Sequence, residues 1–319
     1  MKINIKGSEP AGSTPEGSSW ERNLLEKLLL EVYREQRRNR IWRWFWRLLW
    51  LLIFILIIIA SSGSSKPTGA HTAVINLEGT ISSDNNQADL LRKSLKEVYK
   101  NKNVKGIIIR ANSPGGSPVI SSIAYEEIRY FKAKHASIPL YVVTEDMCAS
   151  GCYYIASAAD KIYADPSSLV GSIGVIGSSF DFTGLIDKLG IKRRVKIAGS
   201  NKDMGDPFVP ETPEQAQIWQ QMLSSIHEQF IQAVQQGRGK RLKIAENPDI
   251  FSGRAYTGEE AKKVGLIDDF GNVYTVARDV IGAPDLVDYT AEASWEKRFS
   301  KSIGSTMLQN IRGMTDQPW

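Results

Sequence analysis

Cysteine and histidine are scarce in this 319-residue chain, and their scarcity narrows its chemistry. Two cysteines, Cys148 and Cys152, exclude a disulfide scaffold, and their spacing matches no recognised zinc site. The three histidines, His71, His135 and His227, lie far apart, and no G-x-S-x-G elbow accompanies them. A histidine triad has no local signature here, although residues distant in the chain can still meet in space. Solenoid repeats are absent. So is the basic and aromatic groove pattern of a nucleic-acid binder, and the formal charge of +5 is partly an arginine cluster near the N-terminus. We expect no metal, no cofactor and no nucleic-acid partner. Charged residues make up 24% and apolar residues 42%, proportions of a globular protein rather than a disordered one.

One segment departs from that average. From Ile41 the chain reads IWRWFWRLLWLLIFILIIIA, passing from basic and aromatic residues into an unbroken apolar run, Leu48 to Ala60. A spanning helix needs roughly 20 residues. The run alone is shorter, but Trp42, Trp44, Trp46 and Trp50 suit a headgroup region, Arg43 and Arg47 can reach toward it, and Ser61 to Ser64 suit the far side. We read a transmembrane helix over residues 41–62. A cleaved signal peptide and a buried core helix are the alternatives, and the long charged segment upstream speaks against the first. Arg34, Arg37, Arg38, Arg40, Arg43 and Arg47 crowd the N-terminal flank, with Lys66 alone just beyond the span. That asymmetry places the N-terminus in the cytoplasm and everything after Ser65 outside.

Residues 1–40 then form a cytoplasmic segment, 63–72 a linker, 73–285 an extracytoplasmic domain and 286–319 a tail with little signal. Leu25, Leu28, Leu29 and Val32 fall at helical spacing behind a capping-box pattern, Ser18-Ser19-Trp20-Glu21, and predict an amphipathic helix from Trp20 to Gln36. From Ala73 onward, strand-like and helical runs alternate: Ala73 to Leu77, Gln87 to Lys100, Val104 to Arg110, Ile120 to Lys134, Ile138 to Thr144. This alternation predicts an α/β domain. A helix near Ser150, strands Lys161 to Ala164, Ser172 to Ile176 and Ile191 to Ile197, and a helix near Gly184 to Leu189 follow. Thr212-Pro213-Glu214-Gln215 joins a capping box to a first-turn proline and starts a long helix running to about Gln236.

Three segments carry residues that a core would not select. Asn112-Ser113-Pro114-Gly115-Gly116 follows a buried strand, and paired glycines there let backbone N–H groups approach a ligand. Met147-Cys148-Ala149-Ser150-Gly151-Cys152 places a serine among small residues at a strand-to-helix turn. The helix N-terminus favours developing negative charge, and the Gly151 N–H is a second donor for an oxyanion. The plain reading of such a serine is a helix N-cap. The third segment, Ala198 to Pro207, is polar and glycine-rich and holds one lysine, Lys202. A lysine is a general base only when its amine is neutral, which burial favours. Most loop lysines are solvated.

These segments, with Ala149 to Ile155, Ala158 to Ala164, Gly171 to Ile176 and Lys202-Asp203, resemble short-form signal peptide peptidase A, a bacterial family of serine peptidases. The resemblance covers Ala73 to about Asn272. It implies a fold of crotonase and Clp protease type, with repeated β-β-α units, preceded here by the single transmembrane helix. It implies Ser150 as nucleophile, Lys202 as general base, Ser172 as the residue orienting the lysine, and Gly116 with Gly151 as the oxyanion hole. It also implies apolar, remnant signal peptides as substrates, contact with membrane lipid, and a ring-like homo-oligomer whose active sites are shared between subunits. The location implied is the bacterial cytoplasmic (inner) membrane, single-pass, with the catalytic domain outside. A membrane peptidase of stomatin-partner type, an acyl-CoA enzyme of the same fold and a non-catalytic scaffold are the alternatives. The chain departs from the family in carrying Cys148 and Cys152, where Ala or Gly is usual. The pair can bond in an oxidising compartment, or serve as two buried thiols.

Overall fold

The computed structural model describes residues 27, 40–57, 69–84 and 86–292, in a chain that divides into two units, Met1–Lys66 and Pro67–Trp319. In the first unit residues 40–57 are helical, and Trp42, Trp44, Trp46, Leu48, Trp50 and Phe54 are all exposed. Among the described residues no helix is long and apolar enough to cross a membrane. Residues 58–62 of the expected span lie outside the described residues, as does all but Lys27 of the helix expected from Trp20 to Gln36.

The second unit is built on an eight-stranded sheet. Its first half runs β1 (His71–Glu78), α1 (Gln87–Val98), β2 (Val104–Ser113), α2 (Pro118–Lys134), β3 (Leu140–Ala149) and α3 (Gly151–Ala156). Then come β4 (Lys161–Ala164), β5 (Leu169–Gly171), α4 (Thr183–Lys188) and α5 (Pro213–Arg238). The chain continues through β6 (Ala255–Thr257), α6 (Gly258–Val264), β7 (Asp269–Phe270), α7 (Val273–Thr275) and β8 (Leu286–Asp288). Strand order is β6-β5-β3-β2-β1-β8, with β4 between β3 and β7. Every pair is parallel except β5 with β6. Strand β3 serves two neighbours in turn: Tyr141–Thr144 pairs with β4, and Met147–Ala149 pairs with β5. The residue that follows this second pairing is Ser150.

A parallel sheet covered on both faces explains the apolar run of β2. Ile107 and Ile109 face the main core with Leu95, Ile128 and Leu140, while Ile108 packs on the other side with Val74, Val143 and Val273. All three isoleucines are fully buried, each worth about 2 kcal/mol in transfer from water. The long helix α5 begins as its sequence pattern requires. The Thr212 hydroxyl accepts from the Gln215 N–H, the Gln215 Oε1 accepts from the Thr212 N–H, and Pro213 fills the first turn. At its far end Arg238 is 1% exposed, donating to Asp268 at 2.6 Å and to the Gly265 carbonyl at 3.0 and 3.1 Å.

Three expectations need correction. Neither Ser172 to Ile176 nor Ile191 to Ile197 forms a strand. In Ser172 to Ile176 only Ile173 is buried, and from residue 174 to 214 no side chain is, so neither run has an alternating covered face, and neither is paired with a strand. The sheet also continues past residue 285, because β8 pairs with β1 from Thr72↔Leu286 to Val74↔Asp288. A three-residue strand is too short to show a period in sequence.

Candidate active site

Ser150 stands where β3 ends and α3 begins, with φ 52° and ψ −124°. A non-glycine residue with positive φ is strained, and such strain gathers at functional sites. Among the described residues only Asn86, Ser150 and Ser172 have it. The backbone around Ser150 is held on both sides. Its N–H donates to the Gly171 carbonyl at 2.8 Å, and its own carbonyl accepts from the Tyr154 N–H at 3.0 Å. The expected plain role for this serine was helix capping, yet its side chain makes no capping hydrogen bond. The hydroxyl is left for other chemistry.

The glycine loop after β2 rests directly on this corner. A Cβ added to Gly115 would lie 2.7 Å from the Ser150 Cβ, the Gly151 nitrogen and the Ala149 oxygen. Gly116 has φ 148°, and a side chain there would strike the Ile81 carbonyl. That close approach requires glycine. The loop is pinned by Ile81, which donates to the Gly115 carbonyl and accepts from the Ser117 N–H, each at 2.8 Å. Among the described residues neither the Gly116 N–H nor the Gly151 N–H has an acceptor. Gly151 opens α3, where a first-turn N–H has no partner within the helix. Two unspent donors thus flank one unspent hydroxyl.

Ser172 sits one residue beyond the Gly171 carbonyl that holds Ser150. It has φ 49°, donates its N–H to Arg254 at 2.9 Å and its hydroxyl to the Gly253 carbonyl at 3.2 Å. Its lone pairs remain able to accept. Beside Ser150 lies a cavity of about 130 Å³, lined by Gly116, Ser150 and Gly151 and walled by Tyr154, Ile226 and Phe230. Tyr154 and Phe230 stack at 4.9 Å. The walls suit an apolar side chain. Sequence reading missed them, since Phe230, Ala233 and Val234 look like any buried stripe of a long helix.

A family model described as peptidase family S49 matches residues 132–281, a stretch containing Ser150, Ser172 and Lys202. The chain is 31% identical over 199 residues to "Putative protease slr0021" of Synechocystis sp., covering 62% of this chain and 69% of that protein. It is 34% identical over 177 residues to "Putative signal peptide peptidase SppA" of Enterococcus faecium, covering 56% of this chain and 50% of that one. The chain belongs to peptidase family S49. Over 188 residues, 59% of the chain, it is also 44% identical to a protein of Brucella melitensis biotype 1 named "Na(+)/H(+) antiporter NhaA". It spans only 25% of that relative's length. S49 peptidases are of serine type, which agrees with a serine rather than a histidine or metal at the centre of this site.

Among the described residues of one chain, Lys202 makes no hydrogen bond to Ser150 and does not line the cavity beside it. Lys202 is exposed in a turn, its N–H donating to the Gly199 carbonyl at 3.1 Å, and no residue between 177 and 225 lines the cavity. The neighbouring Asp203 is anchored by the Gln215 side-chain amide at 3.0 Å, which ties the turn to the start of α5. Each histidine has another partner: His227, next to the cavity-lining Ile226, bonds the Ile173 carbonyl at 3.0 Å, His71 bonds Tyr289 at 3.0 Å, and His135 stacks on Tyr99 at 4.3 Å. A larger cavity of about 650 Å³, bordered by Arg110, Glu145, Asp146, Tyr274 and Asp288, contains none of the expected site residues. Among the described residues no cluster of three or more His, Cys, Asp and Glu side chains could hold a metal ion.

Proposed function

We propose that this chain is a membrane-anchored serine endopeptidase that degrades remnant signal peptides, with Ser150 as nucleophile and Lys202 of a neighbouring copy as general base. The observation that carries the reading is the strained, uncapped Ser150 between the unbonded N–H groups of Gly116 and Gly151. Lysine removes the Ser150 proton, Ser150 attacks a peptide carbonyl, and the two N–H groups hold the tetrahedral oxyanion. The amine leaves with the proton, and water then releases the acyl group. Ser172 accepts from the lysine amine and aims it. The sheet would be of crotonase and Clp protease type, and the domain would sit outside the cytoplasmic membrane behind the helix at 41–62.

Sharing of the site between copies is supported by the exposure of the lysine segment. Ile176, Phe180, Leu185, Leu189 and Ile191 leave 55–89% of their surface in water. An apolar patch of this kind marks an interface. Seating it on a second copy would also desolvate the lysine and favour its neutral form. The substrate class is supported by the apolar walls of the cavity and by the name of the Enterococcus faecium relative.

The test uses two inactive variants. Ser150→Ala and Lys202→Ala proteins, mixed and allowed to exchange subunits, should regain activity on signal-sequence peptides, with roughly a quarter of sites complete by random pairing. No recovery, with exchange demonstrated, would remove the shared site. A fluorophosphonate that fails to label Ser150 would remove the peptidase reading itself. Preference for a stomatin C-terminal segment over signal-sequence peptides would reassign the substrate.

A further inference from the structure

Cys148 and Cys152 form a disulfide, with Cα atoms 5.1 Å apart. One is the penultimate residue of β3 and the other lies in the first turn of α3, so the bond closes over the turn that carries Ser150. Both are 0% exposed within the main core, and neither lines the cavity beside Ser150. They cannot touch substrate. Whatever they contribute must act through the backbone between them.

That backbone needs support. A serine held at φ 52° is strained relative to ordinary conformations and persists only where its surroundings hold it. The six-residue helix α3 is too short to be stable alone and cannot impose the geometry. An easier conformation lies close at hand: with ordinary N-cap angles the Ser150 hydroxyl would bond a first-turn N–H of α3. In that state the nucleophile is spent on its own helix. On the strand side, Ser150 is held by its bond to Gly171, and Cys148 is itself fixed between Ser113 of β2 and Val170 of β5. On the helix side, the disulfide is the covalent link between that fixed strand and the first turn.

We propose that the Cys148–Cys152 disulfide is a positioning brace that keeps Ser150 out of the capping conformation, so that full activity requires the oxidised protein. The inference rests on the peptidase reading above. Reduction by a dithiol such as dithiothreitol breaks the bond in two exchanges. One reductant thiolate attacks a cysteine sulfur and releases the other as thiolate; the second reductant thiol resolves the mixed disulfide. Two electrons and two protons end on the cysteines, and the reductant leaves as a cyclic disulfide. Two thiols need more room than a bonded pair, and in a fully packed core the α3 corner must give way. A domain of this kind exported to an oxidising compartment would acquire its poised nucleophile only after export.

The experiment uses the full-length protein in detergent, an apolar fluorogenic peptide, and a fluorophosphonate as a second report on Ser150. Free thiols are counted by iodoacetamide mass shift before and after dithiothreitol. The reduced enzyme should lose about tenfold or more in kcat, with KM within about twofold, and Ser150 labelling should slow in parallel. Reoxidation should restore both. The Cys148→Ser/Cys152→Ser protein, which loses the bond but keeps two unbonded side chains, should match the reduced wild type and ignore dithiothreitol; if that variant does not fold, the wild-type arms decide. Two free thiols in fully active enzyme, or an unchanged kcat after complete reduction below the melting temperature, would overturn the brace. Absence of both turnover and labelling in the oxidised protein would instead overturn the peptidase reading, and the brace with it.

Discussion

From Gly151 to Ala159 every residue is buried, whereas from residue 174 to 214 none is. The first stretch follows Ser150, the proposed nucleophile, and the second contains Lys202, the lysine proposed to activate it. Around Ser150 each constraint is internal: the β3–β5 pairing, the Gly115 contact, the Gly171 bond and the disulfide all come from this chain. Around Lys202 the ties are looser: Asp203 bonds Gln215, Arg193 pairs with Asp206 and Phe182 packs on Phe180 and Phe208, yet no side chain of the segment is buried. A strained nucleophile must be over-determined by its surroundings, or it relaxes. A lysine presented on an unburied segment can be completed by docking. The difference teaches that this chain over-determines the Ser150 corner and leaves the Lys202 segment unburied; under the proposed function, proton transfer would wait for assembly.

The strongest way to break this contrast is to remove each half. Ser150→Ala, Lys202→Ala and the double variant should each lose activity on the order of 10⁴-fold or more, and by similar amounts, because cooperating groups do not add. Turnover on a fluorogenic peptide measures it. Substantial activity in Lys202→Ala would leave the exposed segment without a catalytic part.

A second challenge addresses the internal scaffold. Asp268 faces the buried Arg238, with Arg241 at 3.1 Å and the Ile162 N–H at 2.7 Å. Burial raises the Asp268 carboxyl, but Arg238, the Ile162 N–H and Arg241 together outweigh it and hold the group below the ordinary aspartate value. A depressed folded-state pKa means stability present above the unfolded value, near 4, and lost as pH falls through the folded one. The melting temperature should therefore drop on acidification below about pH 4. Asp268→Asn should flatten that dependence and destabilise the domain by about 3–5 kcal/mol, because it leaves Arg238 buried without its counter-charge. A denaturant titration of the variant that matches wild type would show that the anchored half is held by packing alone.

Ser172 joins the two halves, with its backbone in the scaffold and its hydroxyl free to accept from the lysine. Ser172→Ala should slow turnover by about 10- to 100-fold with the melting temperature unchanged. An unchanged rate and pH profile would make Ser172 a turn residue only. The smallest effect is expected from Phe180→Ser on the exposed segment. Phe180 is 76% exposed, so folding stability should shift by no more than about 0.5 kcal/mol, while the oligomer seen by light scattering weakens. A large loss of stability there would show that the segment is packed after all.

Local patterns made much of this legible. The Thr212 to Gln215 capping box names its helix start from side chains four residues long, and the pair Gly115-Gly116 after an apolar strand announces a close backbone approach. Residue type offered Ser150 and Lys202 only as candidates, and the family likeness added Ser172 and supplied the roles. What stayed illegible depends on distant partners. Ile191 to Ile197 has the composition of a strand but no edge to join, and Leu286 to Asp288 has little composition of its own but finds β1.

The sequence by itself determined the alternation of strands and helices, the apolar helix near the N-terminus and the small set of residues able to do acyl-transfer chemistry, because each depends on side-chain type and short spacing. Only the tertiary structure decided that Ser150 is strained and uncapped, that Cys148 and Cys152 are joined, and that Tyr154 and Phe230 wall the same cavity. Those features arise where β3 exchanges one neighbour for another and the chain turns into α3 against the glycine loop. Backbone conformation at such a corner is set by contacts from segments tens of residues away, and no local pattern encodes them.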